Sequence, residues 1–190
     1  LNMDDAVWTP TTFSKNRDRL LDGDIAAAFC DAGRTQARAA RLLSDEHFTV
    51  DGTLIEAWAS QKSFKPKDGP PSAGGGADGM VDFRGQRRSN DTHASTTDEE
   101  AKQARKGKGK EAKLSYGGHA LMENRNGLCV DLAVRTAIQT ETEAAKEMLA
   151  RQRRKRVRPA SLGGDKGYHT KDFVAHLRKR TDVQNIDMMN

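Results

Sequence analysis

Apolar positions along this chain follow two rhythms, separated by a long polar stretch. Near the N-terminus the spacing is helical. Ser14–Leu21 reads as a short helix capped by Ser14, with Phe13 before the cap as a staple partner. Asp22-Gly23 interrupts it, and Asp24 caps a second helix, Ile25–Asp31, whose stripe is Ile25, Ala28 and Phe29 and which Gly33 ends. Gln36–Leu43 is a third helical piece, with Arg34, Arg38 and Arg41 on one side. The rhythm then drops to two. Phe48 and Val50 share one face of a strand, His47–Asp51, and Leu54–Ala59 follows as a short helix in which Trp58 packs.

From Ser60 to about Lys110 the periodicity disappears. Pro66, Pro70 and Pro71 precede Gly74-Gly75-Gly76, and apolar residues are too sparse to offset the entropy of ordering, so this stretch is expected to be a flexible linker. Alternation returns in Lys113–Leu121 and Leu128–Ile138, two strands joined through Asn126-Gly127, a strong hairpin signal. In the second strand Val130, Leu132 and Val134 mark the face expected to be buried. Thr140–Arg156 is the longest helix, capped by Thr142 or Thr140, with Glu141, Glu143 and Glu147 early, where the macrodipole favours anions. Pro159 prevents its continuation. Ser161-Leu162 lead a strand into Asp165, Thr170 caps a helix to Arg180 with Phe173, Val174 and Leu177 inward, and Val183–Met188 is a last strand. The order of elements is that of an α/β protein: a helical segment over 1–46, then a mixed α/β domain over 47–190 with the linker 60–110 inserted.

At 190 residues, 35% hydrophobic and 31% charged, the chain has material for one modest core. Its net charge is +5 and its pI about 9.3. That balance alone suits several classes of partner, so the clustering matters more. Lys102, Arg105, Lys106, Lys108 and Lys110 close the linker. Arg151, Arg153, Arg154, Lys155 and Arg156 end the long helix. The first cluster reads either as a solubilising linker or as an arm that neutralises phosphates. The second is favourable at a helix C-terminus whether or not it touches a nucleic-acid backbone. The arginines of the third N-terminal helix read first as a solvated face. Cys30 and Cys129 show no Cys-x-x-Cys pairing and are expected to be small buried thiols in a reducing compartment. No stretch approaches the roughly 20 apolar residues of a membrane span, and the first residues do not resemble a secretory signal. His119, inside a strand with no second ligand clustered beside it in sequence, reads as a packed core histidine rather than a metal ligand.

Two short stretches carry candidate chemistry. His47-Phe48-Thr49-Val50-Asp51-Gly52-Thr53 and Ala160-Ser161-Leu162-Gly163-Gly164-Asp165-Lys166-Gly167-Tyr168 each deliver an Asp to a strand end where glycine breaks the pattern. Asp-Gly at a strand end is ordinary turn chemistry. Two of them, brought together only by the tertiary fold, are also what metal-dependent phosphoryl transfer requires.

Four ordered blocks bear on the choice: Val50 to Ser60, Lys106 to Tyr116, Gly118 to Leu128 and Gly164 to Tyr168. Together they resemble bacterial insertion-sequence transposases of the DDE type, from about Phe13 to the last residue. The resemblance implies an RNase H-like catalytic domain, with a meander of three antiparallel strands, a fourth beside the first and parallel to it, and a fifth beyond. It implies that Asp51 and Asp165 are catalytic and hold Mg²⁺ or Mn²⁺, and that the partner is double-stranded DNA bearing terminal inverted repeats. It favours DNA contact by Lys102, Arg105, Lys106, Lys108, Lys110, Arg153, Arg154, Lys155 and Arg156. In the family, water frees a 3′-hydroxyl at the element end, the hydroxyl attacks target DNA, and the enzymes act as oligomers, here in the bacterial cytoplasm at the nucleoid. The family's third acid, a Glu, lies on a helix after the fifth strand, which this chain does not reach. Glu141, Glu143 and Glu147 fall on an earlier helix and Asp187 in a strand, so the expectation is a truncated, inactive copy. A non-catalytic DNA-binding remnant that inhibits a full-length relative, and a metal-dependent nuclease of the same fold, are the alternatives.

Overall fold

A computed structural model describes residues 9, 11–12, 15–17, 19, 24–68, 88–107, 109–180 and 185–188, in two compact units, 1–44 and 45–190. The expected cap and staple at Ser14 and Phe13, the Gly74-Gly75-Gly76 run, Lys108 and Val183 lie outside the described residues.

In the first unit one helix, α1 (Ile25–Ala39), replaces the two expected on either side of Gly33. Glycine inside a helix costs about 1 kcal/mol relative to alanine, which weakens a helix without ending it. Thr35 Oγ1 donates back to the Asp31 carbonyl at 2.8 Å, so the turn around Gly33 stays closed. Asp24 precedes the helix with φ 49° and makes no side-chain cap. None of the helix residues is buried.

The second unit is built on a mixed sheet. Strand β1 (His47–Glu56) pairs antiparallel with β5 (Lys113–Glu123) from Phe48↔Glu123 to Glu56↔Ser115. The other edge of β5 is shared by β4 (Lys102–Ala104) and β6 (Leu128–Thr136). Helix α2 (Glu141–Arg154) crosses back to β7 (Ser161–Gly164), which lies parallel to β1, and α3 (Lys171–Arg180) leads to β8 (Asn185–Met188), parallel to β7. The strand order β6-β5-β1-β7-β8 is that of the RNase H-like fold. The core contains Phe48, Val50, Leu121 and Leu162 of the sheet, Ala144, Ala145, Met148 and Leu149 of α2, and Phe173 and Leu177 of α3.

Local chemistry explains each element. Thr140 caps α2 through a full capping box: its hydroxyl accepts from Glu143 N, and the Glu143 carboxylate accepts from Thr140 N. The β5–β6 turn is held by Glu123, fully buried, whose two carboxylate oxygens accept from Arg125 N and Asn126 N at 3.0 Å, while Gly127 takes φ 68°. Asp131 on β6 is bound bidentately by Arg151 and also by Gln152, which ties the strand to α2. Thr170 Oγ1 accepts from Phe173 N to start α3.

Four expectations are corrected. The ladder with β5 carries β1 through to Glu56, so the first half of the helix expected over 54–59 is a strand and the rest is loop and bend, and Trp58 is fully exposed. The stretch 60–110 is not uniformly unstructured. Gln61–Ser63 form a 3-10 turn, β2 (Phe64–Pro66) pairs with β3 (His93–Ser95), and β4 joins the main sheet. Sparse as they are, its apolar residues suffice: Phe64, Ala59 and Ala101 pack with Leu114 in a small core, His93 stacks on Phe64, and Ser63 bonds Ser95 at 2.7 Å. The alternation in β6 is real but faces the other way, with Ala133 buried and Leu132 and Val134 62% and 61% exposed. Cys30 and Cys129, expected to be buried, are both exposed, and neither is in a disulfide.

Candidate functional site

Asp51, expected at a strand end, stands inside β1, which its ladder with β5 carries on past Gly52 to Glu56, while Asp165 directly follows β7 as expected. The parallel register runs His47↔Ser161, Phe48↔Leu162, Thr49↔Gly163. Continued by two residues, it sets Asp51 beside Asp165 with the same parity, and paired residues of parallel strands point to the same face. The two strands are further tied by His47 Nδ1 and Ser161 Oγ at 2.6 Å. Each carboxylate is pinned by a following glycine: Asp51 Oδ1 accepts from Gly52 N at 2.8 Å, and Asp165 Oδ1 accepts from Gly167 N at 2.8 Å. Both residues are exposed.

A third carboxylate stands with them. Glu141, the first residue of α2, lies between Gly52 of β1 and Gly167 after β7. A Cβ on Gly52 would lie 3.2 Å from Glu141 Oε1 and 2.8 Å from His119 Nδ1. A Cβ on Gly167 would lie 3.4 Å from Glu141 Oε2 and 3.0 Å from Asp165 Oδ1. One carboxylate thus spans from the β1–β5 ladder to the turn after β7. Desolvation, then the charges of Asp165 and Asp51, raise its pKa from the ordinary value.

Two buried polar groups border this cluster. His119, opposite Gly52 in the ladder, is only 5% exposed, and its Nδ1 has no hydrogen-bond partner. Burial, then Arg135, lower its pKa against the opposing pull of Asp51. Tyr168 is 2% exposed, packed against Gly164 and tilted on Phe173, and its hydroxyl is also without a partner. Its pKa is raised by burial first, then by Glu141, Asp51 and Asp165.

Sequence reasoning treated Glu141, Glu143 and Glu147 alike, but the structure separates them. Glu143 closes the capping box, Glu147 pairs with Arg135, and Glu141 alone of the three reaches the cleft. Position in the chain could not reveal this. The one available signal was that the first turn of a helix entering a strand-end cleft presents its N1 side chain to that cleft.

The donor set, carboxylate oxygens alone, is of the hard kind that suits Mg²⁺ or Mn²⁺. Among the described residues no three His, Cys, Asp or Glu side chains are drawn together tightly enough to hold an ion. The carboxylates instead stand around the cleft within reach of one another's charge, an arrangement that a cation relieves.

The basic residues occupy other surfaces. Lys102 lies on β4, with its Nζ donating to the Glu99 carbonyl, and Arg105, Lys106 and Lys110 are exposed in the turn before β5. Arg153, Arg154 and Arg156 are exposed at the end of α2, Lys155 is half-buried, and Arg156 takes φ 62° where the helix stops. Among the described residues no helix is long and apolar enough to cross a membrane.

A mixed sheet of this order, with acids at neighbouring positions of two adjacent parallel strands, defines an RNase H-like domain of the carboxylate-bearing class. The family comparison agrees. A model of the transposase DDE domain matches residues 43–185, and the chain belongs to that family. A comparison with curated proteins finds no match. Among solved structures, the chain is similar to one in the cryo-EM structure of the simian T-cell lymphotropic virus intasome in complex with PP2A regulatory subunit B56 gamma, at 10% identity and a TM-score of 0.41. That similarity covers 78% of this chain and 33% of the other, so the chain spans about a third of its neighbour's length.

Proposed function

We propose that this chain carries paired carboxylates of a DNA transposase acting at insertion-sequence ends, with Asp51 and Asp165 holding Mg²⁺ or Mn²⁺. The observation that supports the reading most is the parallel β1–β7 register, which, continued by two residues, brings two residues far apart in sequence side by side on adjacent strands. A bound divalent cation supplies Lewis-acid polarisation of a phosphate oxygen and a nucleophilic water at neutral pH. The chain's own part is orientation: the Gly52 and Gly167 amides fix one oxygen of each Asp. Lys102, Arg105, Lys106, Lys108 and Lys110, with Arg153, Arg154, Lys155 and Arg156, hold duplex DNA through its phosphates, giving affinity that falls with salt. As in the wider family, the full assembly on DNA is an oligomer.

The test is an end-cleavage assay in Mn²⁺ on DNA carrying the element's own termini, comparing the chain with its Asp51→Ala variant. Cleavage that depends on Asp51 supports the reading. Salt-sensitive DNA binding with no cleavage by either protein would favour a non-catalytic DNA-binding role instead.

A further inference from the structure

Among the described residues, β6 pairs with β5 alone, so its other side is an edge of the main sheet. The strand contains neither proline nor lysine, and Leu132 and Val134 are the most exposed large apolar side chains of any described strand. They lie on the sheet face away from α2. Asp131 and Arg135, of opposite parity, are held by that helix, the first by Arg151 and Gln152 and the second by Glu147. The ladder extends the apolar face inward: Val134 stands opposite Gly118, where a Cβ would meet Ile55 Cδ1 at 2.6 Å.

An unpaired edge is a template for another strand, and proteins ordinarily blunt it with charge, proline or a bulge. The bulge in this ladder falls at Val130, between the Leu121↔Asp131 and Met122↔Cys129 pairs, and leaves 131–136 in regular register. The Leu132 carbonyl accepts from Arg151 Nη2 at 3.3 Å, and a carbonyl oxygen can accept a second bond. The charges of Asp131 and Arg135 reject most strands, because an arbitrary partner offers them no counter-charge. A second β6 does offer one. Run antiparallel with Ala133 facing Ala133, it sets Asp131 across from Arg135 and Leu132 across from Val134. Opposite charges and apolar pairs directly across a ladder are both favourable. Centring the pair on Leu132 instead sets Asp131 against Ala133, and centring it on Val134 sets Arg135 against Ala133. Charge therefore selects one partner and one register.

We propose that β6 is a pairing edge for a second copy of this chain, joined antiparallel over 131–135 about a two-fold axis at Ala133, so that two sheets continue as one. The symmetry makes the interface isologous, and every contact occurs twice. Leu132 and Val134 of both copies form one apolar row on the face away from α2. On the other face, Asp131 and Arg135 of the two copies extend the ion pairs that each already makes with α2. A ladder this short is small for an interface, so the dimer is weak and forms with rising concentration. The edge is separate from Asp51 and Asp165, and the pairing holds or fails apart from their chemistry.

The experiment is sedimentation equilibrium of the whole chain over a range of concentrations, without DNA or metal. It compares wild type with Val134→Lys and Ile55→Lys. Wild type should pass from monomer to dimer, and Val134→Lys should weaken the dimer at least about tenfold, since lysine on an edge discourages pairing. Ile55→Lys places the same charge on the same face but on β1, away from the edge, and should dimerise as wild type does. A second readout fixes the register, in a chain that also carries Cys30→Ser and Cys129→Ser. A mixture of Leu132→Cys and Val134→Cys chains should form a disulfide between the two variants. Either variant alone should form none, because diagonal partners stand about 7–8 Å apart, beyond the reach of a disulfide. A wild type that stays monomeric throughout overturns the inference. Equal loss of the dimer in Ile55→Lys would show packing of sheet faces rather than of edges, and overturns it too. So does a disulfide in Leu132→Cys alone with none in the mixture, which would mean another register.

Discussion

Glu141 and Asp165 present carboxylate oxygens to a single point, 3.4 and 3.0 Å respectively from where a Cβ on Gly167 would lie, although one residue starts a helix and the other ends a strand. The same Glu reaches Gly52 with its other oxygen. The glycines therefore set the size of the cleft as much as the acids set its charge.

Gly52→Ala is expected to damage the site. The new methyl would meet His119 Nδ1 at 2.8 Å, closer than real Cβ atoms approach, in a ladder whose backbone leaves it nowhere to go. The expected cost is about 1–3 kcal/mol of stability together with weaker Mn²⁺ binding. Gly107→Ala, with nothing within 4 Å, should leave both unchanged. Denaturant melts and Mn²⁺ titrations of the two variants make the comparison.

Thr140→Ala removes half of the capping box and loosens the mount of Glu141. A loss of about 1 kcal/mol is expected in urea denaturation, the usual worth of an N-cap. A change confined to a few tenths would mean that packing of Ala144, Ala145 and Met148 alone sets the helix start.

Asp131 accepts from Arg151 Nε at 3.1 Å, from Arg151 Nη2 at 3.0 Å and from Gln152 Nε2 at 3.0 Å, joining β6 to α2. Asp131→Ala strands a half-buried guanidinium and a buried amide, and should cost about 2–3 kcal/mol. Restoring wild-type stability with the double change Asp131→Ala and Arg151→Met would identify the unpaired charge, rather than weakened packing, as the cause.

Tyr116 Oη donates to Asp98 Oδ1 at 2.6 Å, and this bond, with burial behind it, raises the phenol to about 12 from an ordinary 10.0. The folded chain holds this proton more tightly than the unfolded chain. The bond's contribution is therefore complete below pH 10 and is lost as pH rises through about 12. Melting temperatures of wild type should fall more steeply over that window than those of Tyr116→Phe. Parallel curves would show that the bond adds nothing to stability.

Replacing Arg153 and Arg154 together by Ala should flatten the salt dependence of DNA binding by about 0.9 for each phosphate the pair neutralises, with little effect on melting. Both side chains are exposed, so their removal opens no cavity. An unchanged slope would show that the end of α2 does not touch the DNA backbone.

Local rules were enough to read much of this chain. Alternation at Phe48 and Val50, the Asn126-Gly127 turn and the threonine caps at Thr140 and Thr170 each act over a few residues, so the sequence alone determined those elements and placed Asp165 at a strand end. Asp51 instead lies inside β1, because the pairing with β5 carries that strand past Gly52. It also determined the number of basic charges. Facing and partnership were decided elsewhere. The outward turn of Leu132 and Val134, the pairing of β4 in the polar stretch and the exposure of Trp58 depend on which edge of β5 each segment meets, and a period of two cannot say which face is the core. The same limit hid Glu141. Its neighbours in the chain are a threonine cap and two further glutamates, while its neighbours in space are Gly52 and His119 of the β1–β5 ladder and Asp165 and Gly167 after β7. Only the crossover of α2 onto the sheet, driven by burial of Ala144, Ala145, Met148 and Leu149, delivers that carboxylate to the cleft.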